Sequence, residues 1–221
     1  MAGLVKPKLA KDEVFFPIDS EGNGRIIQLH ELQRDGKTLT GINQYQAVRE
    51  AERSGGYVLS LAEDQQTYDY ARTHNEDPQL NRYLQNMAYR IEYARYTRTQ
   101  VHSLRTDNPF VVNIKRVHPE FDLVLEYEDK IAVPWLPRIS GFIQELDQET
   151  RLPKKVGTEP NPNFNKAYYK VDTTLDVVAV VRYWLDGLGL YIDGSPSFVD
   201  NALGVRLARD FKVEGLESRT R

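Results

Sequence analysis

Nine side chains between positions 183 and 201 are of the types that recognise ligands: Tyr183, Asp186, Tyr191, Asp193, Ser195, Ser197, Phe198, Asp200 and Asn201. Tyr and Phe offer rigid aromatic anchors, and Ser, Asp and Asn offer adaptable hydrogen bonding. That chemistry is recognition rather than bond-making. The plainer reading of the same stretch is an ordinary loop between two strands.

Candidates for catalysis are sparse. The chain has no cysteine, so disulfides, Cys-ligated zinc, iron–sulfur clusters and a cysteine nucleophile are excluded. Its four histidines are His30, His74, His102 and His118. None pair at the helical i, i+4 or the strand i, i+2 spacing that sets two metal ligands side by side. His74 beside Asn75 and His118 beside Pro119 read as exposed loop residues. There is no Gly-x-Ser-x-Gly elbow, and Gly194-Ser195-Pro196-Ser197 reads as a turn. Gly22-Asn23-Gly24 and Gly187-Leu188-Gly189 lack the third Gly, the Lys-Ser/Thr and the following helix of a phosphate loop. The expectation is a non-enzyme with no metal and no cofactor.

A Tyr/Arg cluster lies between them and the N-terminal elements: Tyr83, Tyr89, Arg90, Tyr93, Arg95, Tyr96, Arg98 and Arg105. Such residues can stack on bases or sugars, or form a subunit contact. Placed on a helix over 80–104, they read first as apolar-bodied tyrosines facing a core with arginines reaching outward. The 29 Lys+Arg against 32 Asp+Glu, a net charge of −3, argue against nucleic acid as the partner and against a polybasic membrane surface. An oligomer through this helix is the alternative.

These groups must be positioned by short elements. Residues 14–18 and 25–32 suggest an N-terminal hairpin around Gly22 and Gly24. Ile42, Tyr45, Ala47, Val48 and Ala51 follow a helical period that Gly55-Gly56 ends. Ser60 and Glu63 form a capping box for a second helix ending near His74. Residues 110–117 and 121–127 read as strands, 131–139 and 151–166 as loops, and 177–184, 188–192 and 202–208 as the last strands. Residues 1–12 and 212–221 are expected to fray. No stretch approaches the roughly 20 apolar residues that span a bilayer, and no signal-peptide run is evident, so a soluble chain is expected, with no compartment indicated.

Two segments in order resemble a known family. Residues 42–72 read INQYQAVREAERSGG, YVLSL, AEDQQTYDYAR; residues 178–210 read VAVVRYWLDGLGLYIDG, SPSFVDNA, LGVRLARD. They resemble the C-type-lectin-like fold of formylglycine-generating enzymes and of the variable proteins of diversity-generating retroelements. Departures are Val58-Leu59-Ser60-Leu61 for the usual Arg-Leu-Pro-Thr, Val181-Arg182-Tyr183-Trp184 for Arg-Gly-Gly-Ser-Trp, and Val205 for the closing aromatic.

The resemblance implies one α+β domain over residues 1–221, with short helices, a small antiparallel sheet, paired terminal strands and a large central insertion at about 75–170. It implies that Trp184, Gly204 and Arg206 are scaffold and that residues 183–201 face a protein or glycan ligand on a surface, as in viral or cell-surface receptor binders. The copper cysteines of the oxidases of this fold are missing. Glu159-Pro160-Asn161 matches the calcium-and-sugar tripeptide of animal C-type lectins without their Trp-Asn-Asp, so calcium is kept only as an alternative. A structural or virion assembly protein, and a metal-dependent oxidase, are the alternative functions.

Overall fold

The N-terminal hairpin forms from β1 (Glu13–Pro17) and β2 (Gly24–Gln28), paired antiparallel. Asp19 builds its turn by accepting from the backbone N–H groups of Glu21 and Asn23. The computed structural model describes residues 7–89, 94–183, 189–201 and 203–213. A minimal hairpin follows, β3 (Gln33–Arg34) with β4 (Lys37–Thr38).

Helix α1 (Gln44–Arg53) starts at Asn43, whose side chain accepts from Gln46 N–H while the Gln46 side chain accepts from Asn43 N–H. Helix α2 (Leu61–Thr73) has the expected Ser60–Glu63 capping box, and His74 closes it. Helix α3 (Pro78–Tyr89) is shorter than its sequence period suggests. The single helix over 80–104 is therefore corrected: β5 (Ala94–His102) is a strand. Aromatic and β-branched residues, Tyr96, Thr97, Thr99 and Val101, favour extended backbone. Burial of all four, on both faces, gives the continuous apolar look that passed for a helical stripe.

Strands β6 (Phe110–Val117), β7 (Val124–Ala132), β8 (Gly141–Leu146), β9 (Pro153–Gly157), β10 (Tyr168–Val171), β11 (Val178–Tyr183), β12 (Gly189–Gly194) and β13 (Leu203–Gly204) join β5 in one sheet. The order is β7-β6-β5-β11-β12-β10-β8-β9, with β13 beside β5. It is mixed, since β10–β12 and β13–β5 are parallel. The protein is α+β, but its main sheet has nine strands rather than being small and antiparallel. The stretch 75–170 supplies β5 to β10, the bulk of that sheet. The loop expected over 151–166 is also corrected: β9 pairs with β8, and Leu152 is fully buried beside it. The last strand over 202–208 divides into β13 and β14 (Ala208–Phe211).

Strand β14 pairs antiparallel with β2, so the two ends of the described chain meet in a three-stranded sheet. Lys11 and Asp12, in the expected leader, are held by Arg82 and by Leu29 N–H. Residues 1–6 and 214–221 lie outside the described residues.

Alternation along β11 divides the core. Val178 and Val180 face a cluster with Val101, Ile143, Tyr169 and Ile192, while Ala179 and Val181 lie on the α1 side of the sheet, in the cluster that also holds Ala47, Val48 and Ala51. A third cluster joins β1 and β2 to Ala71, Leu80 and Tyr83. Among the described residues no helix is long and apolar enough to cross a membrane.

Candidate ligand-binding cleft

Helix α1 covers β5 and β6 on its side of the sheet and leaves part of β11 and β12 uncovered. There a cleft of about 390 Å³ opens. Tyr96, Ala179, Val181, Leu175 and Leu203 make its apolar floor and walls; Asp193, Ser195 and Asp200 put oxygens on its rim. Phe198 also lines it, yet remains 61% exposed.

The loop over this cleft is tied down from several sides. Gln44 N–H, in the first turn of α1, donates to Pro196 O at 3.1 Å, and Pro196 is buried. The Tyr96 hydroxyl lies 3.0 Å from Phe198 O and 3.1 Å from Ile42 O. Gly41 N–H donates to Asp200 O, and Ile42 and Asp200 form an isolated bridge. Ser195 and Ser197 share a 2.9 Å hydroxyl contact. Gly41 has φ of +68°, and a Cβ there would meet Asn201 Oδ1 at 2.6 Å. The left-handed backbone favours glycine, and any Cβ there would require the Asn201 side chain to shift.

Of the expected site residues, Asp193, Ser195, Phe198 and Asp200 converge on the cleft. Ser197 and Asn201 shape the loop without lining it. Tyr191 lies on β12 beside Asp193, and Lys170 joins the two: its Nζ is 2.7 Å from Asp193 and 5.7 Å from the Tyr191 ring centre. Asp186 and Trp184 lie outside the described residues, and of Tyr183 only the backbone, at the end of β11, is described. Gly204 sits in β13. Arg206 is buried, donates to Leu29 O at 3.0 Å and covers the Tyr83 ring, which is a scaffold position.

Sequence reasoning missed Tyr96, Ala179, Val181, Leu175 and Leu203. Tyr96 was hidden by the helical reading of its segment. In β5 the pairing to β11 shifts so that Tyr96 and Gln100 face Val181 and Ala179. The extra residues are absorbed by polar groups: Gln44 Nε2 donates to Thr97 O and Thr99 O, and Gln100 Nε2 donates to Gln44 Oε1.

The Tyr/Arg cluster forms no common outer face among its described side chains. Tyr83 and Tyr96 are buried. Arg98 bridges Glu63, at 3.2 Å, and Glu128, while Arg25 reaches Glu63 at 3.1 Å. This network borders a second cleft of about 460 Å³ with Ser60, Thr99, Asn113, Lys130 and Thr150. Its arginine is already matched by carboxylates, whereas Lys130, 4.1 Å from the Phe110 ring centre, adds positive charge to the cleft. Desolvation raises the Glu63 pKa, but Arg98, Arg25 and Ser60 outweigh it and hold the carboxylate below its ordinary value.

The histidines stand on separate elements. His74 stacks on Tyr70, and His118 Nδ1 accepts from Glu120 and Phe121 N–H. Burial lowers the pKa of His102, whose Nε2 meets Gln100 Oε1 at 2.9 Å. Among the described residues no group of three or more His, Cys, Asp or Glu side chains could hold a metal ion. Glu159-Pro160-Asn161 anchors a loop: Gln144 Nε2 donates to Glu159 O, and Asn161 caps the 3-10 turn Pro162–Phe164.

Comparison with protein-family models, curated proteins and solved structures finds no match to this chain.

Proposed function

We propose that the chain is a non-catalytic binding protein whose cleft between β11, β12 and the 195–201 loop takes a protein or glycan ligand on a surface. The observation that carries this is the cleft itself. Four residues of recognition type meet over an apolar floor, in a volume suited to a small ligand group or one side chain of a larger partner. Phe198, exposed at its mouth, is the aromatic anchor.

We place the domain with the C-type-lectin-like proteins, nearest to the variable proteins of diversity-generating retroelements. The two capped helices in order, the pairing of β2 with β14 and a binding loop late in the chain support that placement.

The test uses the labelled full chain on arrays of glycans and of cell-surface proteins. Wild type binds at least one array member, and Phe198→Ala or Asp200→Ala weakens that binding about tenfold, as loss of a central contact does. No bound member, or variants that bind like wild type, contradicts the proposal.

A further inference from the structure

The two edges of the nine-stranded sheet differ in kind. At one end, β9 reads Pro153-Lys154-Lys155, and its lysines are exposed. Proline removes a donor and lysines repel an incoming strand, so that edge is guarded. At the other end, among the described residues, no strand pairs with the outer side of β7. Around it stand four large exposed apolar residues: Phe121, Leu123, Leu125 and Tyr127, between 42% and 62% exposed. An open edge carrying apolar side chains is a template for another strand.

We infer that β7 is a self-association edge, pairing antiparallel with β7 of a second copy about a two-fold axis at Glu128. The sequence of the strand is complementary to itself about that residue. Leu125 then opposes Ile131, and Glu126 opposes Lys130, each twice by symmetry. Glu126 and Lys130 are both exposed; Glu126 also meets Lys115 of its own chain at 2.6 Å, and Lys130 lies over the Phe110 ring, so the interchain pair joins a surface network. The axial Glu128 is held by Arg98 in its own chain, which offsets the charge of the two glutamates that approach there. Register shifts against β6 flank Tyr127 and Glu128 and increase the local twist, which by itself works against edge pairing and must be offset by the apolar and charge matches. A two-stranded contact tolerates more twist than a central one. This surface lies apart from the 195–201 cleft, so two copies leave both clefts open.

The mass of the full chain, measured by sedimentation across micromolar to submillimolar concentrations, tests the inference. Wild type rises from the mass of one chain to that of two. Glu126→Lys and Lys130→Glu each hold it at one chain, and the double swap restores the dimer. Tyr127→Lys also abolishes it. Glu126 and Lys130 are exposed, while the Tyr127 hydroxyl meets Gln100 Oε1 at 3.3 Å and its ring packs on His102, so far-UV circular dichroism checks that each variant folds. One-chain mass at every concentration overturns the inference, including the case in which the edge serves an unrelated extended peptide. A dimer indifferent to the single variants, or loss without rescue in the double, overturns it as well.

Discussion

The phenolic oxygen of Tyr96 sits 3.0 Å from the carbonyl oxygen of Phe198, joining a central strand to the loop that carries the proposed anchor. The same hydroxyl faces Ile42 O, so one proton serves two carbonyls beside α1. Tyr96→Phe keeps the ring in the cleft floor and removes that tie. The expected loss of stability is about 1 kcal/mol by urea denaturation. Amide exchange at Gln44 and Phe198 should quicken more than elsewhere. Unaltered exchange in this loop would show that the hydroxyl does not hold it.

Gly41→Ala probes the other side of the loop. Its left-handed backbone alone costs an alanine about 1–2 kcal/mol, and the new Cβ would meet Asn201 Oδ1. Asn201→Ala removes the collision but not the backbone cost. A double-mutant cycle should therefore show the pair to be less harmful than the sum of the singles. Strict additivity would mean that Asn201 moves aside freely.

The buried charges around Arg98 are coupled. Arg98→Leu leaves Glu128 without its cation and Glu63 with Arg25 alone, at an expected cost of about 2 kcal/mol. Glu63→Gln retains the cap on Ser60 N–H and removes the carboxylate that Arg98 and Arg25 share. Combined with Arg98→Leu, it should recover part of the loss in urea midpoint. A double variant as unstable as the sum of the two singles would refute the coupling.

Acid should destabilise the fold for two reasons of the same sign. The folded His102 has a pKa below the ordinary 6.5, so the unfolded chain takes up its proton first and stability falls as pH drops below that value. Glu63 is held below its ordinary value, so its contribution is present above that value and is lost at lower pH, as its folded pKa is crossed. The urea midpoint should decline in both windows. His102→Gln should flatten the upper one and leave the lower. A midpoint independent of pH across both would contradict these assignments.

Diversification is a separate expectation, checked by sequencing the 3′ end of the gene across individuals of its source population. Substitutions should concentrate between positions 183 and 201, while Trp184, Gly204 and Arg206 stay fixed. An even spread would leave the cleft a fixed contact and remove the variable-protein placement.

What was legible in the sequence was local. Ser60-Glu63 and Gly55 act within one turn of chain, so the start of the second helix and the end of the first could be read directly, while the Asn43-Gln46 box went unread. The loop over 195–201 was legible through residue type, because Ser, Phe, Asp and Asn cluster there. The floor of the cleft was not. Val181 and Ala179 look like any buried strand, and their role depends on which part of the sheet α1 leaves bare. The segment around Tyr96 misled because a strand buried on both faces loses its alternation. The register shift that moves Gln100 opposite Ala179 added to this, since it is fixed by Gln44, more than fifty residues away.

The most direct test of the binding site is amide hydrogen exchange on the full chain, with and without the array glycan or protein that binds it best. The account predicts slowed exchange from Gly194 to Asp200 and at Leu203, with Leu125 and Tyr127 unchanged. Protection confined to other surfaces, with the 195–201 loop exchanging as in the free chain, would contradict it.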